Sequence, residues 1–374
     1  MFAANPASEH AVTALCQVAA ERVAGDDVPA VPKGLRPTCD GGIVLVDLAF
    51  IRGRSDAAPD GVEGFGEAAP NRYYGESVAT VVAALAQFKP ILERADPFSI
   101  ESIEAHLNRV LRGNASAKSA VSSALHDLVG KKLGLPVHRL WGLDADKTPQ
   151  SSFTIAIAEN DELERRVSEA KDYPILKIKL GTDRDMEIVR IVRGVAPSKR
   201  LRVDANAAWS AKHAVEMSGF LADQGVEMIE QPVAANDIEG LRFVRERSKL
   251  PVFADESCLV ATDVAKLHGA VDGINIKLAK CGSLREALRM VHAARALDMQ
   301  VMAGCMIESS LGISAIAQIS PLLDYSDFDG AALLSTDPFR GVTIAGGRVR
   351  LTDGPGLGAT PSPTVDLASA FQSA

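Results

Sequence analysis

From about residue 150 onward the chain repeats one unit: a short apolar run, a charged residue that closes it, and a helix-like stretch. The runs LRVD, VEMIE and PVFAD close on Asp204, Glu230 and Asp255, which lie 26 and 25 residues apart. A step of 25 residues back from Asp204 reaches Lys179 in ILKIKL, and a step of 22 forward from Asp255 reaches Lys277 in GINIKL. That spacing fits one strand, one helix and their loops. Eight runs keep the rhythm: SSFTIAI (151–157), ILKIKL (175–180), LRVDA (201–205), VEMIE (226–230), PVFAD (251–255), INIKL (274–278), QVMAGC (300–305) and DYSDFD (324–329). Continuous apolar runs rich in β-branched residues suit strands covered on both faces. Eight units in this length of chain predict a closed parallel (β/α) barrel, with an open doubly wound sheet as the alternative. Charges at one phase of such a repeat converge on one end of the barrel, where burial is costly unless they serve each other or a ligand.

The region before residue 145 reads differently. GGIVLVDLAFIR and VEGFGEAAP form a candidate antiparallel pair, followed by helical stretches over 76–95, 100–112 and 115–134, the last with Asn114 as candidate N-cap and Gly134 as stop. The tail GVTIAGGRVRLTDGPGLGAT returns to strand and turn chemistry. Three segments follow: an α+β capping domain over 1–145, the barrel over 146–340, and a tail over 341–374 that rejoins the cap. HAVTALCQVAAERVAG (10–25) reads as a helix.

With 374 residues, 47% hydrophobic and 24% charged, the chain can bury a large core. A net charge of −8 argues against a general nucleic-acid or membrane-surface binder. The first 25 residues lack a basic start and read against a secretory signal, and no apolar run approaches a membrane span. Cys16, Cys39, Cys258, Cys281 and Cys305 form no CxxC, which points to reduced thiols and a cytoplasmic location.

Within a strand, residues two apart share a face, so Lys177 and Lys179 point together and Ile178 away. A solvated strand end is the plain alternative, weakened by Lys277 at the same phase of another strand. Asp204, Glu230 and Asp255 could each cap a following helix, but three at consecutive strand ends point to a bound cation. Carboxylates without nearby His or Cys favour a hard ion, Mg²⁺ with Mn²⁺ as the alternative. Asn206 shares the face of Asp204, and Pro232 leaves Glu230 at its strand edge. In DFDG, Asp327 and Asp329 are a turn or a two-carboxylate grip on an ammonium. GCMIESS reads as a helix start, whose N–H groups can receive an anionic oxygen, with Glu308 on a neighbouring lysine or ligand. No Walker loop, HExxH or GxSxG is present, so the site works without a histidine base.

These residues resemble the enolase superfamily, in its muconate-lactonizing subgroup: KIK at 177–179, DAN at 204–206, EQP at 230–232, DES at 255–257, IKLAKCGS at 276–283, and SAKSAVSSALHDLVGKKLGLPVHRLWG in the cap. DFDG with GCMIESSLG is similar to the dipeptide epimerases. The resemblance implies a (β/α)7β modified TIM barrel, a homo-oligomer, and Mg²⁺ on Asp204, Glu230 and Asp255. It implies Lys179 and Lys277 on opposite faces of the substrate α-carbon, moving its proton through an enediolate, with Lys177 stabilising the charge. A working base needs its pKa lowered, and Mg²⁺ and Lys177 push that way. Asp327 and Asp329 would hold a dipeptide ammonium, with Thr154, Cys305, Met306 and Ile307 as further substrate contacts and Asn206, Glu256 and Glu308 supporting the site. The same site suits a cycloisomerase, a succinylbenzoate synthase or an N-acyl or N-methyl amino acid racemase, and a non-catalytic metal- and ligand-binding barrel is a further alternative. Residues 1–35 depart from the first strand and loop expected of the family, and the loop PNRYYGE (70–76) is the other expected cover of the barrel mouth.

Overall fold

The eight apolar runs become eight parallel strands, preceded by a small antiparallel sheet. A computed structural model describes residues 14–16, 44–47, 61–334 and 336–363. Strands β1 (Ala14–Cys16), β2 (Val44–Asp47) and β3 (Phe65–Ala68) pair antiparallel in that order. Against them lie α1 (Val78–Leu92), α2 (Ile100–Val110) and α3 (Ala115–Leu133), followed by the short α4 (Val137–Leu140). The barrel strands are β4 (Phe153–Ile155), β5 (Ile175–Lys179), β6 (Arg200–Asp204), β7 (Val226–Glu230), β8 (Val252–Ala254), β9 (Gly273–Ile276), β10 (Gln300–Gly304) and β11 (Tyr325–Asp327). Between them run α5 (Asn160–Glu169), α6 (Asp185–Val195), α7 (Ala211–Asp223), α8 (Ile238–Arg247), α9 (Ala261–Leu267), α10 (Leu278–Cys281), α11 (Leu284–Ala296) and α12 (Ser310–Ala317). A 3₁₀ turn (Asp329–Leu333), not an α-helix, follows β11, which is the (β/α)7β pattern.

Neighbouring strands follow chain order from β4 to β11, all parallel. The ring closes through a single parallel bridge, Ser151 with Ser326, where Ser152 N–H donates to the Ser326 carbonyl at 3.1 Å. Outward residues such as Ile178, Val203, Ile229 and Ile276 pack with the helices in one continuous core. Inside the barrel, Met228, Phe253 and Met302 form a separate apolar plug with Tyr325. Arg202 lies over the Tyr325 ring at 4.8 Å. The next inward residue along β6 and β7 is Asp204 and Glu230, so the charged layer stands on Arg202 and on the Met228, Phe253 and Met302 cluster.

The cap grips the barrel through buried carboxylates. Asp127 on α3 accepts from Phe65 N–H at 2.9 Å and Leu357 N–H at 2.8 Å, and pairs with Lys131 at 2.6 Å. One side chain thereby ties β3, α3 and the tail. A Cβ on Gly66 would stand 2.0 Å from the Ala120 carbonyl, so β3 approaches α3 only because that side chain is absent. The tail strands are β12 (Phe339–Arg340), β13 (Thr343–Ala345), β14 (Arg348–Arg350) and β15 (Thr360–Pro361). β13 and β14 form a hairpin turned by Gly346 and Gly347, both at positive φ, as such tight turns require.

One reading is corrected. Residues 14–16, expected within a helix, form β1, with Ala14 opposite Val46 and Cys16 opposite Val44; sheet pairing overrides local helix propensity there, and the rest of 10–25 lies outside the described residues. Asn114 does stand at the N-cap of α3 but makes no side-chain capping bond. Glu76 caps instead, accepting from Ala115 N–H at 2.6 Å and Ser116 N–H at 3.1 Å. Among the described residues no helix is long and apolar enough to cross a membrane.

His126 on α3 donates from Nδ1 to the Ser122 carbonyl at 2.7 Å and meets Trp141 edge-on. Burial pushes its imidazole down to about 4, partly offset by the Ser122 carbonyl. The unfolded chain takes up this proton near the ordinary value of 6.5. Stability is therefore lost as pH falls from that value through about 4. Urea unfolding at pH 7 and pH 4.5 should show His126→Phe losing less stability on acidification than the wild type, by up to about 2 kcal/mol.

Candidate active site

The charged residues meet at the C-terminal ends of the barrel strands. Lys179 ends β5 and Lys277 follows β9, four strands apart in a ring of eight, the greatest separation the ring allows. Asp204 on β6, Glu230 on β7 and Asp255 just past β8 fill one arc between the lysines. Thr154 on β4, Cys305 just past β10 and Asp327 on β11 fill the other. Lys177 stands between the arcs, its Nζ 2.7 Å from Glu230 Oε2, 2.8 Å from Asp327 Oδ2 and 3.2 Å from Asp204 Oδ2.

Each carboxylate of the first arc is divided between two kinds of donor. One oxygen meets a fixed group: Asp204 Oδ1 accepts from Asn206 N–H at 2.9 Å, Glu230 Oε1 from the Asn275 amide at 2.7 Å, and Asp255 Oδ1 from Lys280. The other meets a lysine near the cavity: Asp204 Oδ2 is 2.7 Å from Lys179, Glu230 Oε2 lies beside Lys177, and Asp255 Oδ2 is 2.6 Å from Lys277. Turns in the left-handed region support this, with φ of 43° at Asn206, 63° at Ala207 and 35° at Gln231. Such backbone strain concentrates at functional sites. The Gln231 side chain accepts from Asp255 N–H at 2.9 Å and Ser257 N–H at 3.1 Å, joining the ends of β7 and β8.

The electrostatics follow from this pairing. Burial pushes the Asp204 carboxyl up, but Lys179 and Lys177 outweigh it and hold it at about 2. Burial likewise opposes charge on Asp255, and Lys277 and Lys280 hold it well below the carboxylate range. Glu230 is raised, by burial first and then by Asp204. The Lys277 ammonium, despite burial, is held well above its ordinary value by Asp255, opposite to the lowering expected of a base. The reason is its partner, the very carboxylate assigned to a cation. Asp204, Glu230 and Asp255 present ligand atoms within 4.8 Å of one another, all buried. Three oxygens so close, each shared with an ammonium, fit a small divalent cation that would take over part of that neutralisation.

On the second arc, Asp327 gives Oδ2 to Lys177 and Oδ1 to the Ser152 hydroxyl at 2.7 Å. Asp329 accepts from Thr154 N–H at 2.6 Å, and burial together with the Asp327 charge raises it to about 6. Cys305 contacts the Asp327 carbonyl through Sγ at 3.3 Å, Met306 meets the Asn71 amide, and Ile307 lies half-buried beside them. Asn206 is exposed and reaches Glu256, whose carboxyl is raised to about 7 by burial and by Asp255.

Glu308 accepts from Met306 N–H at 2.8 Å rather than from a lysine. One expectation at this end is corrected. The donors at the start of α12 do not await an external anion: Glu67 takes Ser309 N–H at 2.8 Å and Gly312 N–H at 3.2 Å, and Asp337 takes Ser310 N–H. Burial and the nearby Glu308 push Glu67 up to about 8. Lys280, Asn275 and Glu67 were not singled out from the sequence. Lys280 had a signal, a second lysine one helical turn past Lys277.

A parallel barrel with a carboxylate triad between two opposed lysines defines an enzyme built to move a proton on a carbon acid beside a metal. Residues 159–365 match the enolase C-terminal domain-like family, and residues 54–142 match the N-terminal domain of mandelate racemase and muconate lactonizing enzyme. The chain is 44% identical over 301 residues to the L-Ala-D/L-Glu epimerase of Bacteroides thetaiotaomicron, covering 80% of this chain and 78% of that protein. Its fold matches the dipeptide epimerase of Cytophaga hutchinsonii complexed with Mg and D-Ala-L-Val at a TM-score of 0.80 and 30% identity, over 86% of this chain and 89% of that one. It matches the dipeptide epimerase of Enterococcus faecalis complexed with Mg and L-Leu-L-Tyr at a TM-score of 0.78 and 32% identity, over 86% and 91%. The chain belongs to the enolase superfamily, in the mandelate racemase and muconate lactonizing subgroup, and is an isomerase.

Lys177 is the cation on which three buried acids converge. Lys177→Met should destabilise the metal-free protein by about 3–5 kcal/mol, the cost of buried charges left without a partner. Urea unfolding in chelator measures this, and added Mg²⁺ should recover part of the loss.

Proposed function

We propose that this protein is a Mg²⁺-dependent dipeptide epimerase that inverts the α-carbon of the C-terminal residue. The observation that carries the reading is the division of the ring: a triad on one arc, two aspartates on the other, and lysines facing each other between them. Asp204, Glu230 and Asp255 would hold Mg²⁺, which when bound supplies positive charge against the negative charge that gathers on the substrate carboxylate. Lys179 and Lys277 act from opposite sides, one taking the α-proton and the other delivering a proton to the opposite face. Lys177 adds a fixed ammonium to the same region, and Asp327 and Asp329 receive the dipeptide ammonium at a distance from the reacting carbon.

The relatives act on dipeptides with differing second residues, which supports the substrate class and leaves side-chain preference to residues around Tyr73, Tyr74 and Ile307. Tyr74 is half-buried and close enough to Asp255 and Lys277 for their charges to act on its hydroxyl. Buried free thiols at Cys258 and Cys281 support a reducing, cytoplasmic setting. A homo-oligomer, expected from the family resemblance, is read by sedimentation.

Incubation with a library of L,L-dipeptides in D₂O should give α-deuterated, epimerised product for at least one member; no exchange in any member, with Mg²⁺ bound, defeats the reading. Lys179→Ala and Lys277→Ala should each lose epimerisation by roughly 10²–10⁴-fold while still exchanging the α-proton of one epimer, a different epimer for each variant. Asp329→Asn should raise KM for a dipeptide far more than for its N-acylated analogue, which lacks the ammonium.

A further inference from the structure

Lys280 occupies the third position of the four-residue α10, and its side chain is wholly buried, with 0% accessible. Its ammonium donates to Asp255 Oδ1 and lies 2.6 Å from the Asp255 carbonyl, 2.9 Å from the Asn275 carbonyl and 3.2 Å from the Cys258 carbonyl. Four acceptors compete for three N–H groups, and three of them belong to backbone that cannot swing away. Lys277 contrasts with it, reaching the same carboxylate through the other oxygen, Oδ2. Asp204 and Glu230 are held from behind by neutral donors, Asn206 N–H and the Asn275 amide. At Asp255 alone of the three, the rear donor is a full charge set in a cradle of carbonyls.

We infer that Lys280 is a positioning residue that pins Asp255 Oδ1 away from the cation, so that Asp255 offers a single oxygen and the site is biased toward Mg²⁺ over Ca²⁺. This rests on the triad being a Mg²⁺ site and names what tunes it. Mg²⁺ demands a tight octahedral shell with ligands at about 2.0–2.1 Å, whereas Ca²⁺ accepts a larger shell and carboxylates that chelate through both oxygens. An Asp255 carboxyl released from Lys280 can turn and present both oxygens, an arrangement that suits the larger ion. The carbonyls of Asp255, Asn275 and Cys258 hold Lys280 in place and keep that turn closed.

The test is calorimetric titration of the full-length protein with MgCl₂ and, separately, with CaCl₂, without substrate. In Lys280→Met the ratio of the Ca²⁺ to the Mg²⁺ dissociation constant should fall at least about tenfold, the scale on which partners behind metal ligands act. A lysine that merely supports the fold lowers the melting midpoint and weakens both ions alike, so a ratio unchanged within about twofold overturns the inference. Lys280→Ala, which also removes the donor, is titrated in the same way if the methionine variant aggregates, with the same expectation. A crystal of the wild type grown with Mg²⁺ decides independently of any variant: Asp255 bound through one oxygen with Oδ1 on Lys280 supports the inference, and Asp255 chelating through both oxygens overturns it. A wild type that binds neither ion overturns the metal reading as well, which separates that failure from one confined to Lys280.

Discussion

The structure depends on the Lys177 ammonium, buried at the centre of the barrel mouth among Asp204, Glu230 and Asp327. Those acids come from β6, β7 and β11, so one cation joins the two arcs of the site across the barrel. Without it Glu230 and Asp327 would lose the ammonium they pair with, and repulsion among the buried acids would be poorly screened. Burial works against its charge, yet the surrounding acids hold the ammonium well above its ordinary value. Paired with three acids, it is poorly suited to act as a base. Its neighbours Lys179 and Lys277 each pair with one acid of the triad, a simpler arrangement that a bound cation can rearrange.

The cap and tail depend on the same economy of buried carboxylates. Asp127 joins α3 to β3 and the tail, Glu76 caps α3, and Glu67 caps the start of α12. In each case an acid from one segment satisfies backbone N–H groups of another, which would otherwise be orphaned at a helix end or a buried loop. The cap therefore orients the barrel's α12 and the Cys305–Glu308 segment beside the second arc. Positions far from the reacting centre are thus connected to its shape.

The sequence displayed what is periodic and hid what is reciprocal. VEMIE is a strand over its full length because five continuous positions show it, and Lys179, Asp204, Glu230, Asp255 and Lys277 could be aligned because they share one phase of the repeat. Asp327 and Asp329 were visible as a same-face pair, although the Lys177 and Ser152 partners of Asp327 were not. Lys280 and Asn275 looked like filler of a motif, since their significance lies in acceptors on other elements, the turn after β8 for Lys280 and Glu230 on β7 for Asn275. Glu67 sits in VEGFGEAAP, legible only as a strand, because its partner Ser309 is 242 residues away. The anion site read at α12 was a sound inference about helix termini, pre-empted by an acid from a distant strand. The helix read across residues 14–16 gave way for a similar reason, since only the pairing with β2 makes that segment extended.

The ring is not uniformly bonded. β5 and β6 share five paired positions, whereas β4 and β11 meet at the lone Ser151–Ser326 bridge. That seam falls beside Thr154 and Asp327, not beside the triad. The thinnest join of the ring thus lies under the arc that carries the two aspartates, and a shift of the backbone there reaches their side chains before it reaches the triad.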